Sequence, residues 1–130
     1  MKGRQMKIVV YNSYEQYALS RTEVEIIREV LPLKAWARVR KLHLAHSHPH
    51  KAEVFEFDTE TGIAYLIAPV KEKTSAIREG AVRELLLGLA RVSAHSRFFL
   101  PLKASERASY EGFVAEWLPK CLEAIERRRA

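Results

Sequence analysis

The spacing of hydrophobic positions changes along the chain, and each change marks a predicted element. β-branched side chains dominate residues 7–11, as is typical of a short strand. Further on, Val24, Ile27 and Leu31 recur at the spacing of one helix face. Pro32 follows directly, and a proline disfavours helical backbone in the residue before it. The pattern therefore predicts a strand and then a helix that ends at about residue 31.

The start of this first helix has a specific signal. Ser20 and Glu23 have the spacing of a capping box, in which each side chain accepts a hydrogen bond from the backbone N–H of the other residue. Leu19 and Val24 have the spacing of a hydrophobic staple across the same cap. We therefore expect the helix to begin at about Arg21.

Three more strands are predicted in the middle of the chain. Residues 35–44 alternate between two faces, and the apolar parity switches near Lys41, which indicates a bulge or a break. Residues 53–57 and 63–70 flank a turn in which Gly62 can take a positive φ and close a hairpin. Both faces of the last of these strands are apolar, so we expect it to lie inside the sheet. In the strand predicted over residues 35–44, one face contains Ala35, Ala37 and Val39. The other face contains Trp36, Arg38 and Arg40.

Helical spacing returns in the last third of the chain. Thr74 or Ser75 can cap a helix that runs to about residue 95, and a final helix follows from about residue 105. The predicted order is therefore β-α-β-β-β-α-α. We expect an α+β fold in which a small, mostly antiparallel sheet packs against the two C-terminal helices, within a single domain formed by residues 1–130.

Composition narrows the class of protein. With 130 residues, of which 48% are hydrophobic, the chain can bury a core in one domain. Cys121 is the only cysteine, which excludes an intramolecular disulfide. No apolar run approaches the roughly 20 residues that span a bilayer, and the N-terminal segment does not resemble a signal peptide. We therefore expect a cytoplasmic protein with no membrane partner.

Three segments together carry a resemblance to a known family. Residues 83–87 read Arg-Glu-Leu-Leu-Leu within an apolar helix, and residues 58–62 read Asp-Thr-Glu-Thr-Gly in the predicted hairpin. Residues 110–117 read Tyr-Glu-Gly-Phe-Val-Ala-Glu-Trp in the final helix. Together with the capped first helix that ends in Leu-Pro, this pattern over residues 20–118 is similar to that of a minimal zincin-like metalloprotease domain.

The resemblance implies a scaffold that has lost its chemistry. Zincins carry H-E-x-x-H on a helix, where both histidines bind zinc and the glutamate polarises a zinc-bound water. In this chain Arg83 and Leu87 take the places of the histidines, and only Glu84 is retained. The resemblance therefore implies a pseudoenzyme. From the residues alone, we expect Glu84 to reach Arg91 across the gap left by Gly88.

A histidine cluster offers a different chemistry. In an extended chain His46, His48 and His50 would point the same way, and three imidazoles could bind Zn, Ni or Cu. Pro49 favours a turn, and a solvated loop between strands explains the same residues. A metal-dependent hydrolase that uses this cluster is one alternative function.

Basic residues indicate another alternative. The formal net charge is +6, which raises affinity for polyanions in general. Trp36, Arg38, Arg40 and Lys41 combine a stacking surface with cations, as in modules that bind single-stranded nucleic acid. Solvated charge on the outer face of a sheet gives the same pattern.

The function expected from the sequence is binding without catalysis. No phosphate-binding loop, dinucleotide-binding motif or activated nucleophile is recognisable, so we expect no cofactor and no catalytic residue. An edge strand of the sheet can accept a strand from another protein. We therefore predict an accessory module with a protein partner and leave its oligomeric state open.

Overall fold

Within the residues that the structure describes, the fold is built on one four-stranded sheet and three α-helices. The computed structural model of the chain describes residues 6–10, 17–45, 55–67, 73–93 and 104–129. The elements in chain order are β1 (Lys7–Val10), α1 (Arg21–Val30), a 3₁₀ helix (Leu33–Trp36), β2 (Lys41–Ala45), β3 (Phe55–Asp58), β4 (Ile63–Ile67), α2 (Ser75–Ser93) and α3 (Ala104–Arg129). The predicted α+β class and the two C-terminal helices are confirmed.

The sheet has the strand order β1-β2-β4-β3 and is mixed. β1 pairs with β2 in parallel, β2 pairs with β4 in parallel, and β3 pairs with β4 antiparallel. The prediction of a mostly antiparallel sheet is therefore wrong. The physical reason is that α1 returns the chain to the end of the sheet where β1 began, so β2 must run in the same direction as β1. The prediction that β4 lies inside the sheet is confirmed.

The helices pack on one face of this sheet. One core cluster combines alternate residues of all four strands with apolar residues of the three helices. The strand residues on this inner face are Ile8, Leu42, Leu44, Phe55, Phe57, Ala64 and Leu66. The residues between them point to the opposite, outer face, where His43 and Tyr65 are half-buried.

The predicted start of α1 is confirmed in detail. The backbone N–H of Glu23 donates to Ser20 Oγ at 3.2 Å, and the backbone N–H of Ser20 donates to Glu23 Oε1 at 2.9 Å. Leu19 and Val24, the two residues of the predicted staple, have no exposed surface. This cap fixes the place where the chain enters α1 at one end of the sheet.

The central helix is covered on more than one side, as its sequence predicts. Leu86 has no exposed surface and Leu87 is only 5% exposed, because α2 packs against both α3 and the sheet. On the sheet side Gly88 faces the Phe55 ring so closely that a Cβ atom at Gly88 would lie 2.3 Å from Phe55 Cδ1. The gap that was expected to give Glu84 room is therefore filled by an aromatic ring.

Residues 33–40 differ from the prediction of a strand. The backbone N–H of Ala35 donates to Pro32 O, and that of Val39 donates to Trp36 O, so these bonds are local. Arg40 already bonds to the sheet, because its backbone N–H donates to Gly62 O at 2.8 Å. Pairing with β1 begins only at Lys41. The apolar pattern changes parity near Lys41 because β2 begins there, and not because a continuous strand contains a bulge.

Candidate functional site

A cleft of about 920 Å³ lies beside β1, and we call it the β1 cleft. Its described lining comes from β1, from the start of α1 and the residues before it, from β2 and from Lys73, which lies two residues before α2. These lining residues are Lys7, Ile8, Val9, Val10, Tyr17, Ser20, Arg21, Thr22, Leu44 and Lys73.

The connection between the two parallel strands places this cleft. Val10 is the last residue of β1 and Leu44 lies next to the last residue of β2, so both mark the carboxyl end of the parallel strands. α1 begins at the same end of the sheet, as its cap residue shows: Ser20 is one of the residues that line the cleft. In open sheets with parallel strands, ligands commonly bind outside the carboxyl ends of the strands.

The lining combines positive charge, hydroxyl groups and an apolar wall. The cations are Lys7, Arg21 and Lys73, and no carboxylate is among the lining residues in the described part of the chain. Tyr17, Ser20 and Thr22 add hydroxyl groups, and the wall is formed by Ile8, Val9, Val10 and Leu44. Such a lining suits a ligand with an anionic group and an apolar part.

The N-terminus of α1 adds to the positive potential. The first backbone N–H groups of a helix have no acceptor within the helix, and the helix dipole places its positive end there. The capping box satisfies the N–H groups of Ser20 and Glu23. Arg21 and Thr22, the first two residues of α1, both line the cleft. The N-terminal end of α1 and the cationic side chains of the lining therefore both present positive charge to the cleft.

Lys73 is held in the cleft wall by a buried carboxylate. Its Nζ forms an ion pair with Oε1 of Glu23, a residue that is only 4% exposed. The other carboxylate oxygen accepts from Arg78 Nη1 at 3.2 Å. Arg78 in turn donates from Nη2 to Glu126 Oε2 at 2.8 Å. Because these residues come from α1, α2, α3 and the segment before α2, one chain of contacts joins the cleft to the three helices.

Glu23 remains ionised in this setting. Burial by itself would raise its pKa, but hydrogen bonds from Lys73, from the backbone of Ser20 and from Arg78, together with the charge of Lys73, lower the pKa below its ordinary value. The carboxylate therefore keeps its charge at neutral pH. This charge fixes the Lys73 ammonium group at the rim of the cleft.

The other two cations are held more loosely. Arg21 forms an ion pair with Glu25 at 3.5 Å, but its side chain is 60% exposed, and such surface pairs contribute little. Lys7 is exposed and forms no ion pair with a described residue. A ligand can therefore recruit both cations at small cost.

The predicted nucleic-acid patch does not form one face. Trp36 is 6% exposed and lies in the core, so its indole ring is not available for stacking on a base. Arg38 is exposed, and its Nη1 donates to Val92 O at 2.8 Å. Arg40 packs its side chain close to Gly62, and Lys41 is exposed at the start of β2. The expected alternation is wrong because most of this segment is a 3₁₀ helix and a turn.

The positions that resemble a degraded zinc motif lie between α2 and α3. Arg83 Nη1 is 3.8 Å from Glu111 Oε1, and Glu84 Oε2 accepts from Arg107 Nη2 at 3.4 Å. Both contacts are solvent-accessible, whereas Leu87 belongs to the core. These three residues therefore contribute to helix packing.

The histidines proposed as metal ligands, His46, His48 and His50, lie outside the described residues. Within the described part of the chain, no group of three or more His, Cys, Asp or Glu side chains could hold a metal ion.

Comparisons with protein-family models, with curated proteins and with solved structures found no match. The zincin resemblance therefore remains a prediction. None of the helices in the described ranges is long and apolar enough to cross a membrane.

The β1 cleft was not predicted from the sequence. One local signal exists, because Ser20, Arg21 and Thr22 form a capped helix start. The remaining cations are distant in sequence, and only the parallel pairing of β1 with β2 and the ion pair of Lys73 bring them together.

Proposed function

We propose that this chain is a binding domain whose β1 cleft takes a small molecule with a phosphate or carboxylate group. The observation that carries the proposal is the charge of the described lining, which contains three cations and no carboxylate. The proposal differs from the accessory module with a protein partner that is expected from the sequence, and that expectation remains a prediction.

Size and shape support a small ligand. A volume of about 920 Å³ lies within the range of roughly 300–1,000 Å³ that is typical of small-molecule sites. The anionic group would lie between Arg21, Lys73 and the first turn of α1, because charge and backbone donors converge there. The apolar part would contact Val10 and Leu44.

Binding of defined anions tests the proposal. The full chain is titrated with pyrophosphate, citrate and adenosine monophosphate by calorimetry, and its melting temperature is followed at constant ionic strength. At least one of these anions should bind and raise the melting temperature, because a ligand that binds only the folded state stabilises it. Arg21→Gln should weaken that binding about 10-fold or more, since charge-assisted hydrogen bonds contribute about 1.5–3 kcal/mol.

Arg127→Gln is the matched control. Arg127 also pairs with a glutamate four residues away on a helix surface, at 3.2 Å from Glu123, but it lies on α3 and is not among the cleft residues. Both variants lose one positive charge. The proposal is wrong if Arg21→Gln binds the anion as tightly as Arg127→Gln and the unaltered chain do. It is also wrong if no tested anion raises the melting temperature more than chloride does at the same ionic strength.

A further inference from the structure

The outer face of the sheet carries an aromatic pair beside two lysines. The register places His43 of β2 opposite Tyr65 of β4, and their rings meet edge to face with centroids 5.2 Å apart. One row away, Lys7 of β1 lies opposite Lys41 of β2. We call these four residues the outer platform.

The two lysines form an arrangement that does not stabilise the fold. Like charges directly opposite each other on neighbouring strands are unfavourable. Both side chains are exposed, and neither forms an ion pair with any residue in the described ranges. Two adjacent cations without a compensating carboxylate favour binding of a polyanion.

His43 of the aromatic pair is uncharged at neutral pH. Burial lowers the pKa of His43, and the nearby charge of Lys41 lowers it further. His43 and Tyr65 are both half-buried, so each residue keeps some exposed surface. The platform therefore combines an aromatic pair with adjacent positive charge.

We propose that the outer platform binds single-stranded nucleic acid. Bases stack on the rings of His43 and Tyr65, and phosphates contact the ammonium groups of Lys7 and Lys41. Stacking on aromatic side chains together with a positive track along the backbone is the general mode by which proteins hold unpaired strands. The bases of a duplex are already stacked on each other and cannot use the rings in this way.

The charges of the sheet also orient the strand. The row of His43 and Tyr65 ends at Glu56 on β3, and the row of Lys7 and Lys41 ends at Asp58 on β3. One side of the outer face is therefore basic and the opposite side is acidic. In this proposal the phosphates lie over β1 and β2, where Lys7 and Lys41 stand side by side.

Fluorescence anisotropy with the full chain tests this surface. The probes are labelled dT20, labelled U20 and a labelled duplex of the same length, each titrated at several salt concentrations. We expect tighter binding to at least one single strand than to the duplex. Tyr65→Leu should weaken single-strand binding about 10-fold or more, whereas Tyr65→Phe retains the ring and most of the affinity.

Lys41→Gln should reduce the slope of log K against log salt by about 1, because one phosphate contact is lost. Lys120→Gln is the control, since Lys120 is an exposed lysine 4.5 Å from the Trp117 ring centroid, on α3. Melting temperatures of all variants show whether they fold. Comparison of Tyr65→Leu with Tyr65→Phe separates loss of the aromatic ring from loss of the hydroxyl group. Lys41→Gln tests the platform at an exposed residue and does not depend on the result at Tyr65.

Three outcomes overturn the proposal. The first is equal affinity for single strands and duplex, and the second is unchanged binding by both Tyr65→Leu and Lys41→Gln. The third is loss of strand binding in Arg21→Gln alone, which would assign the nucleic acid to the β1 cleft. Lys7 lines the β1 cleft and also belongs to the platform, so the two proposals are separated by residues that belong to one site only, Arg21 for the cleft and Lys41 and Tyr65 for the platform.

Discussion

Glu23 connects several parts of the structure through one carboxylate. It completes the cap of α1, forms an ion pair with Lys73 in the cleft wall and contacts Arg78 of α2. A buried charge is tolerated only when it is paired and hydrogen-bonded, and both conditions are met here. Its removal would leave two cations near the core without this counter-charge.

Glu23→Gln should therefore lower the free energy of unfolding by on the order of 3 kcal/mol at pH 7. The loss should depend on pH in a defined direction. Because the folded state lowers the pKa of Glu23, its carboxylate stabilises the fold fully above the ordinary pKa of 4.5, and this contribution disappears as the pH falls through the folded-state value. The two proteins should converge in stability in acid, as measured by urea unfolding between pH 7 and pH 3.

Glu29→Gln provides the comparison on the same helix. Glu29 pairs with Arg128, but both side chains are more than half exposed, at 57% and 58%. The expected loss is below about 1 kcal/mol. Equal losses for the two variants at pH 7 would contradict the role given to Glu23.

At the scale of elements, α2 contains two glycines in opposite environments. Gly88 is buried against the Phe55 ring, whereas a Cβ atom at Gly80 would meet nothing within 4 Å. Both lie inside the same helix, Ser75–Ser93. Helix propensity alone would favour alanine at both positions by up to about 1 kcal/mol.

The two alanine variants should therefore change stability in opposite directions. Gly80→Ala should raise the free energy of unfolding by about 0.5–1 kcal/mol. Gly88→Ala should lower it by about 1–3 kcal/mol, because the new methyl group must displace Phe55 and with it the contact between α2 and β3. Thermal and urea unfolding measure both changes. A stabilising Gly88→Ala would show that α2 and β3 do not pack as closely as described.

Local signals predicted elements better than they predicted their pairing. The cap at Ser20 and the turn at Gly62, with its φ of 76°, follow from contacts within a few residues, and the structure confirms both. The parallel pairing of β1 with β2 depends on the path of α1, which no local pattern contains. The strand predicted through Trp36 failed because this segment forms a 3₁₀ helix and a turn, in which the neighbouring residues Ala35 and Trp36 are both buried.

The candidate site was less predictable than the fold for a similar reason. Lys41 was singled out from the sequence, and it belongs to the outer platform. Lys7, Tyr65 and Lys73 were missed, because their importance depends on which strand lies beside which and on one ion pair between distant segments. The sequence shows the charged residues, but it does not show which residues lie beside them in the folded chain.

At the scale of the whole molecule, the three helices and the sheet share one core cluster. α3 contributes Val114, Leu118, Cys121 and Ile125 to it. Contacts of α3 with both α1 and α2 close the side of the core opposite the sheet. Separation of α3 would expose this core, so we expect α3 to unfold together with the rest of the domain.

Cys121 reports on this cooperativity, because it is the only cysteine and has no exposed surface. Burial raises its pKa to about 11, and the thiolate is the form that reacts with thiol reagents. The folded chain at pH 8 should therefore react slowly with a chromogenic disulfide reagent. As the urea concentration increases, labelling of Cys121 should follow the loss of the helical circular dichroism signal with the same midpoint.

Lys120→Cys, which adds an exposed thiol, should react at once with one equivalent of the reagent while Cys121 stays protected. If Cys121 reacts at urea concentrations where the helical signal is intact, α3 opens on its own and the three helices do not form one cooperative unit.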